Sequence, residues 1–431
     1  MSQARAARPE GLAAYVAVTA AYWAFMLTDG ALRMLVLLHF NALGFSPVQL
    51  AYLFLLYEIA GMVTNLSAGW VAARFGLTST LYAGLALQIA ALVALAQLDP
   101  AWAVPVSVAF VMAVQGVSGV AKDLAKMSSK SAVKLLAPTE GGGLFRWVAL
   151  LTGSKNAVKG HGFLLGAALL ATIGFEPAVL GMAGALTLIL AAVAALMPPG
   201  LPRGRRSARL AEVLSKDRAI NWLSAARLFL FGARDVWFVV GIPVYFYAVL
   251  SDGTADGGRA AFFLVGSFMA LWIIGYGAVQ AAAPCLLGRE RTLADTVRLA
   301  RLWVGVLALI PTGLALLALA GGAADPPPWL TVAVVVGLLA FGVVFALNSA
   351  LHSYLILAFS RADRVTMDVG FYYMSNAAGR LLGTLLSGLS YQAGGLPLCL
   401  ATAAAMAGAS VLCARRIDLH APPRVKPRSS H

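Results

Sequence analysis

AVLGMAGALTLILAAVAALMPPGLPRGRRSARLAEVLSKDRAINWLSAARLFLFGARDVWFVVGIPVYFYAVL, residues Ala178 to Leu250, decides how this chain folds. An uncharged apolar run comes first, long enough as a helix to cross a hydrocarbon core of roughly 30 Å. Pro198 to Arg218 follow, the longest polar connection in the chain and rich in Pro, Gly and Arg. A second apolar run, Ile220 to Leu250, then carries Arg227, Arg234 and Asp235 in its interior. Span, basic linker and span read as a membrane protein whose two sets of helices are joined by a cytoplasmic segment.

The rest of the chain agrees. Of its 431 residues 60% are hydrophobic and only 12% charged, too few to cover the surface of a soluble protein. Apolar runs predict an all-α protein with twelve transmembrane helices, at about 12–40, 47–73, 78–98, 102–124, 148–174, 178–197, 220–250, 260–283, 301–320, 329–351, 366–391 and 396–414. The expected organisation is an N-terminal six-helix half (1–197), a linker (198–219), a C-terminal half (220–414) and a tail (415–431). The first run reads as a retained span, because no small-residue cleavage site follows it.

The net charge of +14 would point to nucleic acid in a soluble protein, but here it follows the membrane. Most of the 32 Lys and Arg residues fall in the termini and alternate connections, whereas the opposite connections hold one, Arg259. That bias predicts a multi-pass membrane protein with both termini in the cytoplasm and no nucleic-acid partner. Cys285, Cys399 and Cys413 stand apart, so neither a disulfide nor a thiolate metal site is expected.

The halves echo each other: Asp29 precedes Phe40 in the first span by the same interval that separates Asp235 from Phe246 in the seventh. After the second span, GWVAARFG (Gly69 to Gly76) resembles the short loop motif of the major facilitator superfamily. Gly69, Arg74 and Gly76 match it. Ala73 stands where the motif has its aspartate, and Leu77 and Thr78 replace its basic pair. With twelve spans and a central linker, the resemblance implies the fold of that superfamily.

Ionisable groups inside a bilayer cost roughly 2.5–3.5 kcal/mol each on insertion scales, so those that occur face the bundle interior and carry function or pair with one another. The basic ones are Arg33, Lys159, Arg227, Arg234 and Arg380; the acidic ones are Asp29, Glu58, Asp235 and, near an end, Asp368. Asp29 and Arg33, spaced i,i+4, form either a structural pair or a substrate-binding arginine held by a protonatable carboxylate. Adjacent Arg234 and Asp235 point about 100° apart and are not expected to neutralise each other. Arg227 shares a face with Arg234, as one of two arginines of an anion site or as a side chain snorkelling to the cytoplasmic surface.

Two stripes accompany these charges. Tyr373, Asn376, Arg380, Gly383 and Ser387 share a face of the eleventh span, and Glu58, Gly61, Asn65 and Gly69 share one of the second. Small residues there serve close helix packing; Arg380 and Glu58 do not fit that reading. Asn348 and His352 share a face of the tenth span, for structure or for substrate. Asp29, Glu58 and Asp235 are the candidates for proton coupling.

Lys122 to Gly162 hold most of the polarity in the middle of the chain. Lys122, Lys126, Lys130 and Lys134 recur every four residues, a ladder that needs anions against it. Lipid headgroups or a cytoplasmic vestibule gathering anionic substrate would supply them. A helix beginning near Ser154 would present free N–H groups and Lys155 to a phosphate-like group. Lys159 lies deeper, about 22 Å from the outer end of its span. No GxxxxGK[ST] loop, HExxH, serine elbow or cysteine cluster is present, so neither ATP hydrolysis nor another enzyme activity is expected, nor any cofactor or metal.

GVAKDLAKMSSKSAVKLL (Gly119 to Leu136), RWVALLTGSKNAVKG (Arg146 to Gly160), YWAFMLTDGALRMLVLLHF (Tyr22 to Phe40) and SAARLFLFGARDVWFVVGIPVY (Ser224 to Tyr245) together resemble the organoarsenical efflux transporters of the ArsJ type. The similarity runs through nearly all twelve spans and fades in the linker and after Pro284. It implies export of 1-arseno-3-phosphoglycerate, which glyceraldehyde-3-phosphate dehydrogenase makes when arsenate replaces phosphate. That enzyme would be the functional partner, and the transporter a monomer. The residues agree independently: trivalent arsenic wants clustered thiolates, whereas a pentavalent arsenate ester behaves like a phosphate and wants Arg and Lys. Export of another organic phosphate or anion would keep the same residues. A polytopic sensor would need a signalling domain, of which the sequence shows none.

Overall fold

The computed structural model describes residues 8–136, 143–196, 217–287, 292–322, 326–360 and 365–417. Every regular element among them is helical. In chain order these are α1 (Arg8–Ala42), α2 (Pro47–Tyr52), α3 (Leu55–Leu95), α4 (Val104–Leu136), α5 (Gly143–Ile173), α6 (Phe175–Leu196) and α7 (Arg218–Val236). A π-helical turn (Trp237–Gly241), α8 (Ile242–Leu250), α9 (Ala255–Leu287), α10 (Leu293–Gly321), α11 (Pro328–Phe359) and α12 (Val365–Arg415) complete the chain.

Ten helical stretches among the described residues are long and apolar enough to cross a membrane, the architecture of a multi-pass membrane protein. They do not include α5, and the expected eleventh and twelfth spans lie in the one helix α12. That helix breaks at Gly394 and Gly395, where φ of +61° at Gly395 is open to glycine, and Pro397 follows. The expected loop at Gly69 to Gly76 is likewise helical backbone inside α3, interrupted only at Gly76 with φ +75°. Most of the linker, 197–216, and the tail from 418 lie outside the described residues.

Local chemistry sets several boundaries. Ser46 caps α2 through the Gln49 N–H, the Gln49 side chain answers the Ser46 N–H, and Pro47 sits in the first turn. Pro243 has no N–H to donate, and the π-helical turn just before it absorbs the mismatch. The Val240 and Gly241 N–H groups of that turn both donate to Ser387 Oγ of α12, at 3.1 Å each.

Buried apolar side chains gather in two clusters. One comes mostly from α1 to α6 and takes in Val239 and Val240; the other comes mostly from α7 to α12 and takes in Met34, Leu38, Phe163 and Ala167. The clusters thus interlock toward the C-terminal end of α1. There Val48 N–H also donates to Gln392 Oε1, and Gly388 lies against Pro47.

Candidate functional site

Backbones come closest where the charges lie. Gly162 and Gly166 of α5 face α1 so tightly that an added Cβ would strike the Leu27 and Ala31 carbonyls. That approach puts Lys159 Nζ 3.5 Å from Asp29 Oδ2. Gly379 and Gly383 of α12 meet Leu228 and Gly232 of α7 in the same way, and Arg380 between them reaches Asp235. Small residues here set the distance at which long basic side chains meet carboxylates.

The result is one chain of charges spanning four helices. Arg33 of α1 and Arg380 of α12 both place Nη2 on Glu58 Oε1 of α3, at 3.0 and 2.6 Å. Arg380 Nε continues to Asp235 Oδ2 at 3.4 Å, and Arg234 Nη2 holds Asp235 Oδ1 at 2.5 Å. Beside it, Tyr57 donates its hydroxyl to Asp29 Oδ1 at 2.6 Å, and Lys122 stands over the Tyr57 ring at 4.0 Å.

Exposure divides the signs. The carboxylates of Asp29, Glu58 and Asp235 are 1–2% exposed, whereas Arg33, Lys159, Arg234 and Arg380 keep 11–18%. The basic side chains are therefore more accessible than the carboxylates they pair with. Four cations against three carboxylates leave this cluster electropositive before Lys122 is added.

A second polar group lies nearby in α7, α11 and α12. Arg227, 4% exposed, donates Nε to Asn376 Oδ1 at 3.1 Å and Nη1 to Ser349 Oγ at 3.0 Å. Gln280 and Tyr276 of α9 also approach Ser349 Oγ, and Asn156 of α5 reaches Gln280. Phe231 joins this group to the first, its ring lying 4.0 Å from the Arg227 guanidinium and 4.8 Å from that of Arg234.

Several expectations are corrected. Asp29 pairs with Lys159 and Tyr57 rather than Arg33, because α5 approaches α1 so closely and because Glu58 offers Arg33 a carboxylate shared with Arg380. Arg234 and Asp235 do pair: the long arginine curls back over the divergence of their Cβ directions. Arg227 does not snorkel to a surface. α4 continues unbroken to Leu136, and Lys122 and Lys126 turn inward, Lys126 onto Asn65 Oδ1 at 2.9 Å and Asp123 at 3.4 Å. Neither therefore lies on the headgroup surface. The Lys130 and Lys134 side chains lie outside the described residues. Ser154 is eleven residues inside α5, its hydroxyl taken by Trp23 Nε1, so no helix N-terminus faces Lys155.

Asn348 and His352 are fully buried and make no hydrogen bond through any side-chain nitrogen or oxygen. Sequence reading missed Asp123, buried at 1% and bonded by Thr64 and Lys126, and missed Tyr57, Gln280 and Ser349. Asp123 carried a signal: it stands beside Lys122 at the end of the expected span 102–124, in a helix that continues to Leu136.

No protein-family model matches the sequence, and no curated protein does. Among the solved structures that share its shape are two transporters. The nucleoside transporter NupG (D323A mutant) superposes with a TM-score of 0.67 at 17% identity, over 95% of this chain and 98% of that one. A structure described as giving insights into substrate recognition in proton dependent oligopeptide transporters does so at 0.67 and 14%, over 94% and 97%. This chain therefore shares the fold of these two transporter structures.

Proposed function

We propose that the protein exports 1-arseno-3-phosphoglycerate from the bacterial cytoplasm by alternating access across the inner membrane. Two six-helix halves of a twelve-span bundle would rock about the Arg33–Glu58–Arg380–Asp235–Arg234 chain, with both termini inside. The observation that carries this reading is the cluster itself, arginine side chains partly accessible and the carboxylates they share almost fully buried. Such a surface suits phosphate and arsenate oxygens, and arginine forks bind them two at a time. The thiols support the pentavalent form, since Cys399 and Cys413 are buried, Cys285 is exposed, and the three are not clustered. The ArsJ-type motifs supply the arsenical itself; Tyr22 to Phe40 and Ser224 to Tyr245 contain Asp29, Arg33, Arg227, Arg234 and Asp235.

An anion entering this site competes with Glu58 and Asp235 for Arg380, which loosens the bridge between α3 and α12. Moving about three negative charges outward across ~100 mV, inside negative, releases ~7 kcal/mol, so export needs no proton gradient. The same site chemistry fits another organic phosphate, and assays decide between them. Everted vesicles supplied with glyceraldehyde-3-phosphate dehydrogenase, its substrate and labelled arsenate should accumulate label. Equal or faster uptake of ordinary 3-phosphoglycerate would replace the arsenical by a general organic phosphate.

A further inference from the structure

Arg227 differs from most of the deeply placed cations among the described residues; Lys122 also has no carboxylate within ion-pair distance, but Asp123 and Glu58 act on it as nearby charges. Arg33, Lys126, Lys159, Arg234 and Arg380 each lie within 4 Å of a carboxylate, whereas among the described residues no carboxylate comes within ion-pair distance of Arg227. Its partners are neutral: Asn376, Ser349 and the faces of Phe231 and Tyr372, 4.0 and 5.1 Å from the guanidinium. A buried guanidinium without counter-charge is costly, and buried polar groups without partners are rare enough to need a cause. Here both occur together. Asn348 precedes Ser349 on α11, and His352 follows one turn later; both are 0% exposed, and every side-chain nitrogen and oxygen of the two is unbonded.

We infer that Arg227, Ser349, Asn348 and His352, with Asn376 and Gln280 beside them, form a second anion site that takes one oxyanion group, separate from the carboxylate-bridged cluster. The chemistry is that of a fork of guanidinium N–H groups backed by amide and imidazole donors, which matches phosphate, arsenate or carboxylate oxygens. In the bridged cluster an anion must displace Glu58 or Asp235; at Arg227 it displaces nothing charged. Phe231 spaces the two, so a molecule with two anionic ends could engage Arg234 with one and Arg227 with the other. A free inorganic anion would satisfy the site equally. The inference stands on this geometry whether or not an arsenical is the cargo.

The test uses the full-length protein in detergent and inorganic phosphate as probe, with binding followed by calorimetry. The expected result is saturable phosphate binding weakened at least ten-fold by Arg227→Gln, partly restored by Arg227→Lys and changed less than two-fold by Arg259→Gln, an exposed arginine outside both polar groups. Asn348→Leu, which removes the amide and leaves all charges, should weaken it at least three-fold and covers the case in which Arg227→Gln does not fold. Binding unchanged by Arg227→Gln or by Asn348→Leu, or weakened as much by Arg259→Gln, would overturn the site. Competition by 3-phosphoglycerate assigns the site to one end of a transported molecule, and phosphate bound undisturbed beside it assigns a free anion; either result supports the site. A chain that binds phosphate through Arg227 but exports no arseno-ester would lose the proposed cargo and keep the site.

Discussion

Arg380 and Glu58 lie 322 residues apart in sequence and meet at 2.6 Å, Nη2 to Oε1, across the contact between α12 and α3. Glu58 is 1% exposed and also holds Arg33, so one carboxylate compensates two arginines from different helices. Removing one partner of a buried ion pair leaves the other uncompensated, at about 3–5 kcal/mol. Glu58→Gln should therefore lower the thermal midpoint of the purified protein strongly, and adding Arg33→Gln should recover part of the loss. A midpoint within a degree of wild type would show that the bridge is not a structural element.

Arg380 spends two different edges of its guanidinium, Nη2 on Glu58 and Nε on Asp235. A lysine is a single point charge and cannot span both carboxylates. Arg380→Lys should retain the fold but lose at least ten-fold in uptake by everted vesicles, close to the loss from Arg380→Gln. Recovery by lysine to near wild-type rate would mean that charge alone matters at this position.

Neutralising Asp29, Glu58 and Asp235 tests coupling. All three pair with cations in the resting arrangement. If an anion displaces them and they then take up protons, the triple variant Asp29→Asn, Glu58→Gln, Asp235→Asn loses uptake driven by a pH step. Undiminished pH-driven uptake in that variant would remove antiport and leave the membrane potential as the driving force.

The close approach of α5 to α1 makes a sharper structural prediction. A Cβ at Gly166 collides with the Ala31 backbone, whereas one at Gly181 of α6 meets nothing within 4 Å. Gly166→Val should abolish folded yield by size-exclusion chromatography or detach Lys159 from Asp29 with loss of transport. Gly181→Ala should be neutral or slightly stabilising, since alanine is the better helix former by about 1 kcal/mol. Equal behaviour of the two variants would contradict the packing of α5 on α1.

How much of this was legible before the structure depends on the length scale involved. Membrane class and most of the mid-span charges follow from local composition, because an apolar run of bilayer length allows few other readings. Pairing does not. Asp29 has Arg33 at the helical spacing, yet binds Lys159 instead, 130 residues away, because glycines on another helix allow α5 to come close. Lys122 and Lys126 read as surface charge until α4 proves long enough to keep them among α3 and α12. Spacing reports which residues share a face; which helix that face meets is set by packing distant in sequence.

Ser387 offers the last test, because one hydroxyl serves backbone and site together. The π-helical turn leaves the Val240 and Gly241 N–H groups in a buried position, and Ser387 Oγ accepts from both at 3.1 Å. Ser387 is fully buried and lies two helical turns beyond Arg380 on α12, so the bond fixes the register of α12 against the segment that follows Asp235. Ser387→Ala removes the side-chain acceptor shared by two buried N–H groups, a loss of about 1–3 kcal/mol. The variant should unfold several degrees earlier and show weaker anion binding in the bridged cluster, while Ser387→Thr, which keeps the hydroxyl, should restore both. If Ser387→Ala shifts stability without changing anion binding, the bond braces the helix pair but does not position Arg380.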